Sequence, residues 1–191
     1  MTIGLLTLQG DFERHRHQLE LLGAGSRDVR LPSDLESLDG LIIPGGESTT
    51  MSILMDRFDL RRPLLAFARR HPVYGTCAGM IMLAKNIENN ISGVKPLGLL
   101  DIDVDRNGYG RQIYSFEDEL EVHLNGLPKK IKAAFIRAPR ITRLGKGVQV
   151  LADYRKEPVF VRQNNILASS FHTELGDDMT VIKYFADNFF S

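Results

Sequence analysis

Apolar residues recur along this chain with two different periods, and the periods divide it into halves. In the first half, short runs rich in aliphatic residues alternate with stretches of helical spacing. Thr2–Leu8 is almost continuously apolar, the pattern of a strand buried on both faces. Phe12–Leu22 carries apolar and long polar residues at helical spacing and stops at Gly23, predicting a helix. Short strands are expected at Val29–Leu31 and Gly40–Ile43. The hydroxyls of Ser48, Thr49 and Thr50 offer an N-cap for a following helix. Leu64–Arg70 reads as the end of another helix, closed by His71 and Pro72. Val73–Thr76 is the next strand and Gly79–Ile87 the next helix. Beyond that point strand patterns dominate: Gly98–Asp105, Leu120–Leu124, Lys132–Ala138, Val148–Tyr154, Val159–Arg162 and Ile166–Phe171, with turn signals such as Asn164-Asn165 between them. An amphipathic helix, Met179–Phe190, ends the pattern.

Strand–helix alternation followed by a β-rich half predicts an α/β fold. The sheet is expected to be mostly parallel and doubly wound, with helices on both faces and an antiparallel β extension at one edge. No repeat or linker interrupts residues 1–191, so a single domain is expected.

Composition narrows the function classes. Lys plus Arg is 24 and Asp plus Glu is 24, giving zero net charge, which argues against nucleic acid as a partner. Arg61, Arg62, Arg69 and Arg70 read as a solvated helix face rather than a binding patch. A single cysteine rules out an internal disulfide and fits a reducing, cytoplasmic setting. The first residues lack the basic region of a signal peptide. No apolar run has the length of a membrane span.

That one cysteine sits in Gly75-Thr76-Cys77-Ala78-Gly79, where a predicted strand runs directly into a predicted helix. A sharp strand-to-helix turn crowds the positions two before and two after its apex, which gives the flanking glycines a steric reason. A thiol at a helix N-terminus is favoured as thiolate, and the Ala78 N–H points toward a developing oxyanion. Such a nucleophile needs a base. His15 and His17 are two apart on a helix and share no face, His71 precedes a proline, and His123 lies in an edge-like strand; all four read as surface histidines. His172 follows an apolar strand and has Glu174 two residues on, so both side chains point the same way if the strand geometry persists. Glu174 can then orient one imidazole nitrogen while the other faces Cys77. A second oxyanion donor is available from the loop after Gly40–Ile43, Pro44-Gly45-Gly46-Glu47-Ser48, with Gly46 the best placed.

The elbow, the Pro-Gly-Gly loop and the His-x-Glu pair, in this chain order, resemble the class I (triad) glutamine amidotransferases. Within that family the chain is most similar to the glutaminase subunits of two-component pyridoxal 5′-phosphate synthases. The similarity rests on Leu8–Asp11, Pro44–Thr50, Arg106–Gln112 and Phe135–Arg140 and spans the whole chain. It implies a flavodoxin-like fold and a triad of Cys77, His172 and Glu174. Glutamine would be held by Gly46, Glu47, Ser48, Arg106, Ile136 and Arg137, and the Gln9-Gly10 peptide would help form the oxyanion hole. No metal or cofactor is implied. The implied partner is a synthase subunit, in a large mixed assembly, that joins the ammonia to ribose 5-phosphate and glyceraldehyde 3-phosphate. Two departures stand out: His172-Thr173-Glu174 replaces the usual His-Pro-Glu, and Asn107-Gly108-Tyr109-Gly110 replaces Asn-Ala-Phe-Gly. The competing readings are a cysteine-elbow hydrolase of the deglycase and intracellular-protease group, and a regulatory subunit that kept the fold without its activity.

Overall fold

A computed structural model describes residues 1–106 and 115–189. Its centre is a seven-stranded sheet built from β1 (Thr2–Leu6), β2 (Gly25–Val29), β3 (Gly40–Ile43), β4 (Val73–Thr76), β10 (Gln149–Tyr154), β11 (Glu157–Gln163) and β12 (Ile166–Ser169), in the order β10-β11-β12-β4-β3-β1-β2. Five strands, β12 through β2, run parallel, and β11 and β10 extend one edge antiparallel.

Alternation along the parallel strands sorts the core into two layers. Leu6, Leu41, Ile43, Val73 and Ile166 join one buried cluster with Met51, Met55, Leu64 and Phe67. These last four come from α2 (Ser48–Arg57) and α3 (Arg61–Ala68), and α4 (Ala78–Leu83) packs with them. Ile3, Leu5, Ile42, Tyr74 and Leu167 face the other way, onto α1 (Phe12–Leu21) and α5 (Thr180–Phe189). Helices therefore cover both faces, as a buried parallel sheet requires. Among the described residues no helix is long and apolar enough to cross a membrane.

The β-rich half departs from a single extended sheet. β7 (Phe116–Leu124) and β8 (Leu127–Phe135) form a separate hairpin whose apolar side packs into the second cluster. β5 (Ala84–Glu88), β6 (Leu100–Asp105) and β9 (Arg140–Leu144) make a small third sheet.

Three expected elements differ for identifiable reasons. The second strand is Gly25–Val29, not Val29–Leu31; it is the sheet's edge, so it is half-solvated and largely polar, and Arg16 holds it through Ser26 and Asp28. The helix after Cys77 ends at Leu83 instead of Ile87. The carbonyls of Met82, Leu83 and Ala84 accept from the backbone of Leu97, Leu99 and Gly98, and the chain leaves as β5 alongside β6. Helix α2 is capped not by a hydroxyl but by the Glu47 carboxylate, which accepts from the Thr49 and Thr50 N–H groups at 2.9 and 2.7 Å. Arg61, expected in a solvated face, instead bonds the Ser52 carbonyl and hydroxyl and pairs with Asp56, while Arg62, Arg69 and Arg70 are exposed.

Candidate active site

Strands β4 and β12 pair in parallel with Thr76 opposite Ser169, so the residues that follow each strand emerge side by side. The Cys77 N–H donates to the Ser169 carbonyl at 2.8 Å, closing the register at the sheet's carboxyl end. Sites in doubly wound sheets form at this end.

Cys77 stands between β4 and α4 with φ 49° and ψ −102°, a conformation that side-chain-bearing residues rarely adopt. The flanking glycines permit the turn. A Cβ on Gly79 would lie 2.1 Å from the Ile43 carbonyl oxygen, and one on Gly75 would lie 2.7 Å from the Gly79 backbone. The thiol is nearly enclosed, 7% exposed, with Sγ 3.7 Å from the Ile136 carbonyl oxygen. Ala78 opens α4, so its N–H belongs to the first turn, where no intrahelical acceptor exists.

His172 and Glu174 lie just beyond β12, both buried. The His172 backbone is clamped from the other side: its N–H donates to the Ala134 carbonyl at 2.8 Å, and its carbonyl accepts from the Ala134 N–H at 2.9 Å. Two hydrogen bonds to β8 thus hold the base in place. The ring's Nδ1 lies 2.5 Å from Glu174 Oε1. Burial alone would favour a neutral ring, but the Cys77 side chain and the Glu174 carboxylate outweigh it and raise the His172 pKa to about 10. Burial alone would likewise protonate Glu174, yet the neighbouring His15 and His172 pull it down to about 2. The structure therefore brings Cys77, His172 and Glu174 together at the carboxyl ends of β4 and β12, with His172 hydrogen-bonded to Glu174.

The glycine-rich loop sits beside that line. Asp11 N–H donates to the Gly45 carbonyl at 3.3 Å, and Gln9 Oε1 accepts from the Glu47 N–H at 2.6 Å and packs against Gly46. The Gln9-Gly10 segment is thereby clasped to Pro44–Glu47. Ser48 is buried at the start of α2. Glu47 is already engaged: besides capping α2 it accepts from Arg106 at 3.2 Å. Arg106 also bonds the Thr49 hydroxyl at 3.1 Å and the Ser92 hydroxyl. Burial would raise the Glu47 carboxyl, but the backbone and side-chain hydrogen bonds from Thr49 and Thr50 hold it at about 2. Ile136 and Arg137 follow β8 directly, and Arg137 is exposed with φ 46°. Of the Arg106–Gln112 motif only Arg106 lies within the described residues.

One residue was misread from the sequence. His15 is not on the surface but 1% exposed, with Nε2 3.1 Å from Thr76 Oγ1 and 3.5 Å from Glu174 Oε1. The signal available was its place in α1: His15, Gln18 and Leu19 form the helix's buried stripe at i, i+3 and i+4. Among the described residues no group of three or more His, Cys, Asp and Glu side chains is arranged to hold a metal ion.

Comparison with known proteins gives one consistent result. The family model of the SNO glutamine amidotransferase family matches residues 5–191. Pyridoxal 5′-phosphate synthase subunit PdxT of Dehalococcoides mccartyi is 50% identical over 188 residues, covering 97% of this chain and 95% of the relative. The protein of the same name from Thermosipho africanus is 47% identical, covering 97% of each. A crystal structure of a glutamine amidotransferase superposes with a TM-score of 0.90 at 44% identity, again covering 97% of both chains.

Proposed function

The chain belongs to the SNO glutamine amidotransferase family, and on that premise we propose that it is the glutaminase subunit of a pyridoxal 5′-phosphate synthase, hydrolysing L-glutamine at Cys77 and passing the ammonia to a synthase subunit. The observation that carries the chemistry is the His172–Glu174 hydrogen bond set beside Cys77, with the nucleophile at a strained elbow.

In this reading His172 already holds the proton of the Cys77–His172 pair, and the Cys77 sulfur adds as thiolate to the carbon of the side-chain amide. Negative charge on the former carbonyl oxygen meets the Ala78 and Gly46 N–H groups, with Gly10 at the margin of the same hole. His172 returns its proton to the departing nitrogen, and ammonia leaves. Water, deprotonated by His172, then attacks the γ-glutamyl thioester and frees glutamate with the thiol restored. Glu174 stays ionised throughout; it fixes the ring's tautomer and stabilises the imidazolium.

Glutamine would lie along Gly46, Glu47, Ser48 and the Ile136 carbonyl. Arg137, exposed beside the thiol's neighbour Ile136, is the better partner for the α-carboxylate, because Arg106 is occupied by Glu47 and Thr49. Arg106 then acts by holding Glu47 and the start of α2 in place. Free ammonia in neutral water becomes ammonium, which is not nucleophilic. A closed passage into a synthase subunit within a mixed assembly fits that chemistry.

The test is ammonia release from L-glutamine, with and without a pyridoxal 5′-phosphate synthase subunit, for the wild type and Cys77→Ala. Release that depends on Cys77 and rises with the synthase is expected. Turnover retained in Cys77→Ala would overturn the mechanism, and turnover indifferent to every synthase subunit would overturn the partner.

A further inference from the structure

Beneath the Cys77–His172–Glu174 line lies a titratable side chain that the hydrolysis above does not use. His15 enters from α1 and reaches two separate parts of the site at once, Thr76 immediately before the nucleophile and Glu174. The groups around it are Asp11 from its own helix, Tyr74 and Thr76 from β4, and His172 and Glu174 beyond β12.

Simple space filling does not explain this choice. Tyr74 meets the ring edge-on at 6.3 Å, a packing that an apolar side chain would supply as well. Meanwhile His15 Nδ1 and Glu174 Oε2 are buried without a hydrogen-bond partner among the described residues. A buried polar atom without a partner is unfavourable, so a histidine here destabilises the fold unless its other nitrogen contributes something. That nitrogen, Nε2, faces a carboxylate oxygen, which can only accept, and a hydroxyl oxygen, which can also accept. It therefore carries the proton and shares it between Thr76 Oγ1 and Glu174 Oε1. Glu174 Oε1 thus faces N–H groups from both His172 and His15.

We propose that His15 is a positioning residue for the glutaminase reaction, a buried Nε2–H donor that holds the Glu174 carboxylate toward His172 and fastens it to the carboxyl end of the nucleophile strand. The proposal rests on the triad reading given above. Burial lowers the His15 pKa despite the opposing pull of Glu174, which keeps the ring neutral. Without the donor, the carboxylate is no longer held toward His172 and keeps the imidazolium less firmly.

His15→Met and His15→Gln are close in shape and differ chiefly in whether an N–H remains near the Nε2 position. His15→Met is expected to lower kcat for glutamine by about 10- to 100-fold with KM nearly unchanged, and His15→Gln to recover most of it. Cys77 is the only cysteine, so iodoacetamide alkylation followed from acid to alkaline pH reports on its thiol alone. In His15→Met the inflection set by His172 is expected to move to lower pH by about 1 on the pH scale. Nitrogen-15 NMR of the wild type, which needs no variant, is expected to show His15 as the neutral Nε2–H tautomer across the ordinary histidine range. Wild-type kcat and an unmoved alkylation profile in His15→Met would overturn the proposal, as would equal impairment in both variants with that profile unmoved. An Nδ1–H tautomer or an ordinary titration of His15 would also overturn it. Absence of glutaminase activity in the wild type would sink the triad reading instead, and the alkylation and NMR results would still decide the role of His15.

Discussion

Gly45 lies against the Cε1 edge of His172 so closely that a Cβ there would come within 2.3 Å of the ring's Cε1, and within 3.2 and 3.3 Å of Nδ1 and Nε2. The glycine loop and the base are thus fitted to each other, and neither has room to move toward the other. Gly45→Ala is expected to push the ring off its line between Cys77 and Glu174. Displacement by about 1 Å corresponds to roughly a 100-fold loss of turnover. Steady-state kinetics would show it as a fall in kcat; a variant with wild-type kcat would contradict the fit.

The backbone of Cys77 makes a second prediction. Its φ of 49° with ψ of −102° is strained for any residue with a Cβ, by on the order of 1–3 kcal/mol, while glycine loses more entropy on folding by about 0.5–1 kcal/mol. Both Cys77→Ala and Cys77→Gly abolish ammonia release, but Cys77→Gly is expected to be the more stable by about 1 kcal/mol, roughly 2–4 °C in melting temperature. Calorimetry of the two inactive proteins gives the comparison, and a more stable alanine variant would refute stored strain.

Those two predictions use features of unequal legibility. The elbow was readable because Gly75, Cys77 and Gly79 are adjacent in sequence and because their small size has a local steric cause. The His172–Glu174 pair was readable for the same reason: two residues apart after a strand, they needed only the strand's own period. The parallel sheet, its helices and its antiparallel edge followed from apolar periodicity. What escaped depends on distant partners. His15 reaches Glu174 across 159 positions, and nothing in the helix's own pattern names that partner. The exit of the chain after Leu83 into β5 is decided by amides of residues 97–99, and the polar β2 is held as a strand by its neighbour β1. Glu47 was anticipated as a substrate contact, whereas its carboxylate caps α2, because both roles draw on the same charge at the same helix end.

Stability should depend on pH through the buried pair. His172 binds its proton more tightly in the folded chain, about 10 against 6.5 unfolded. Its contribution is therefore complete below pH 6.5 and is lost as pH rises through about 10. Glu174 acts oppositely: depressed from 4.5 to about 2, it stabilises above pH 4.5, and this is lost as pH falls toward 2. In urea unfolding, the advantage of wild type over His172→Gln should shrink steadily across the alkaline window. Parallel curves there would exclude the ion pair as its source.

Glu47 offers a separable effect. Glu47→Ala removes the cap of α2 and frees Arg106. The carboxylate is half exposed, so the loss of stability is expected to be at the lower end for a helix cap, about 0.5 kcal/mol. KM for glutamine should rise several-fold while kcat with saturating substrate changes little. A variant whose kcat falls with KM unchanged would place Glu47 in the chemical step instead.

The clamp between Ala134 and His172 has a mechanical consequence. Strand β8 carries Ala134 and then leads, one residue past its end, to the Ile136 carbonyl beside the Cys77 sulfur. The imidazole and that carbonyl are therefore suspended from the same strand. A push on β8 therefore reaches both as a common-mode displacement, to which their spacing responds less than their absolute positions do.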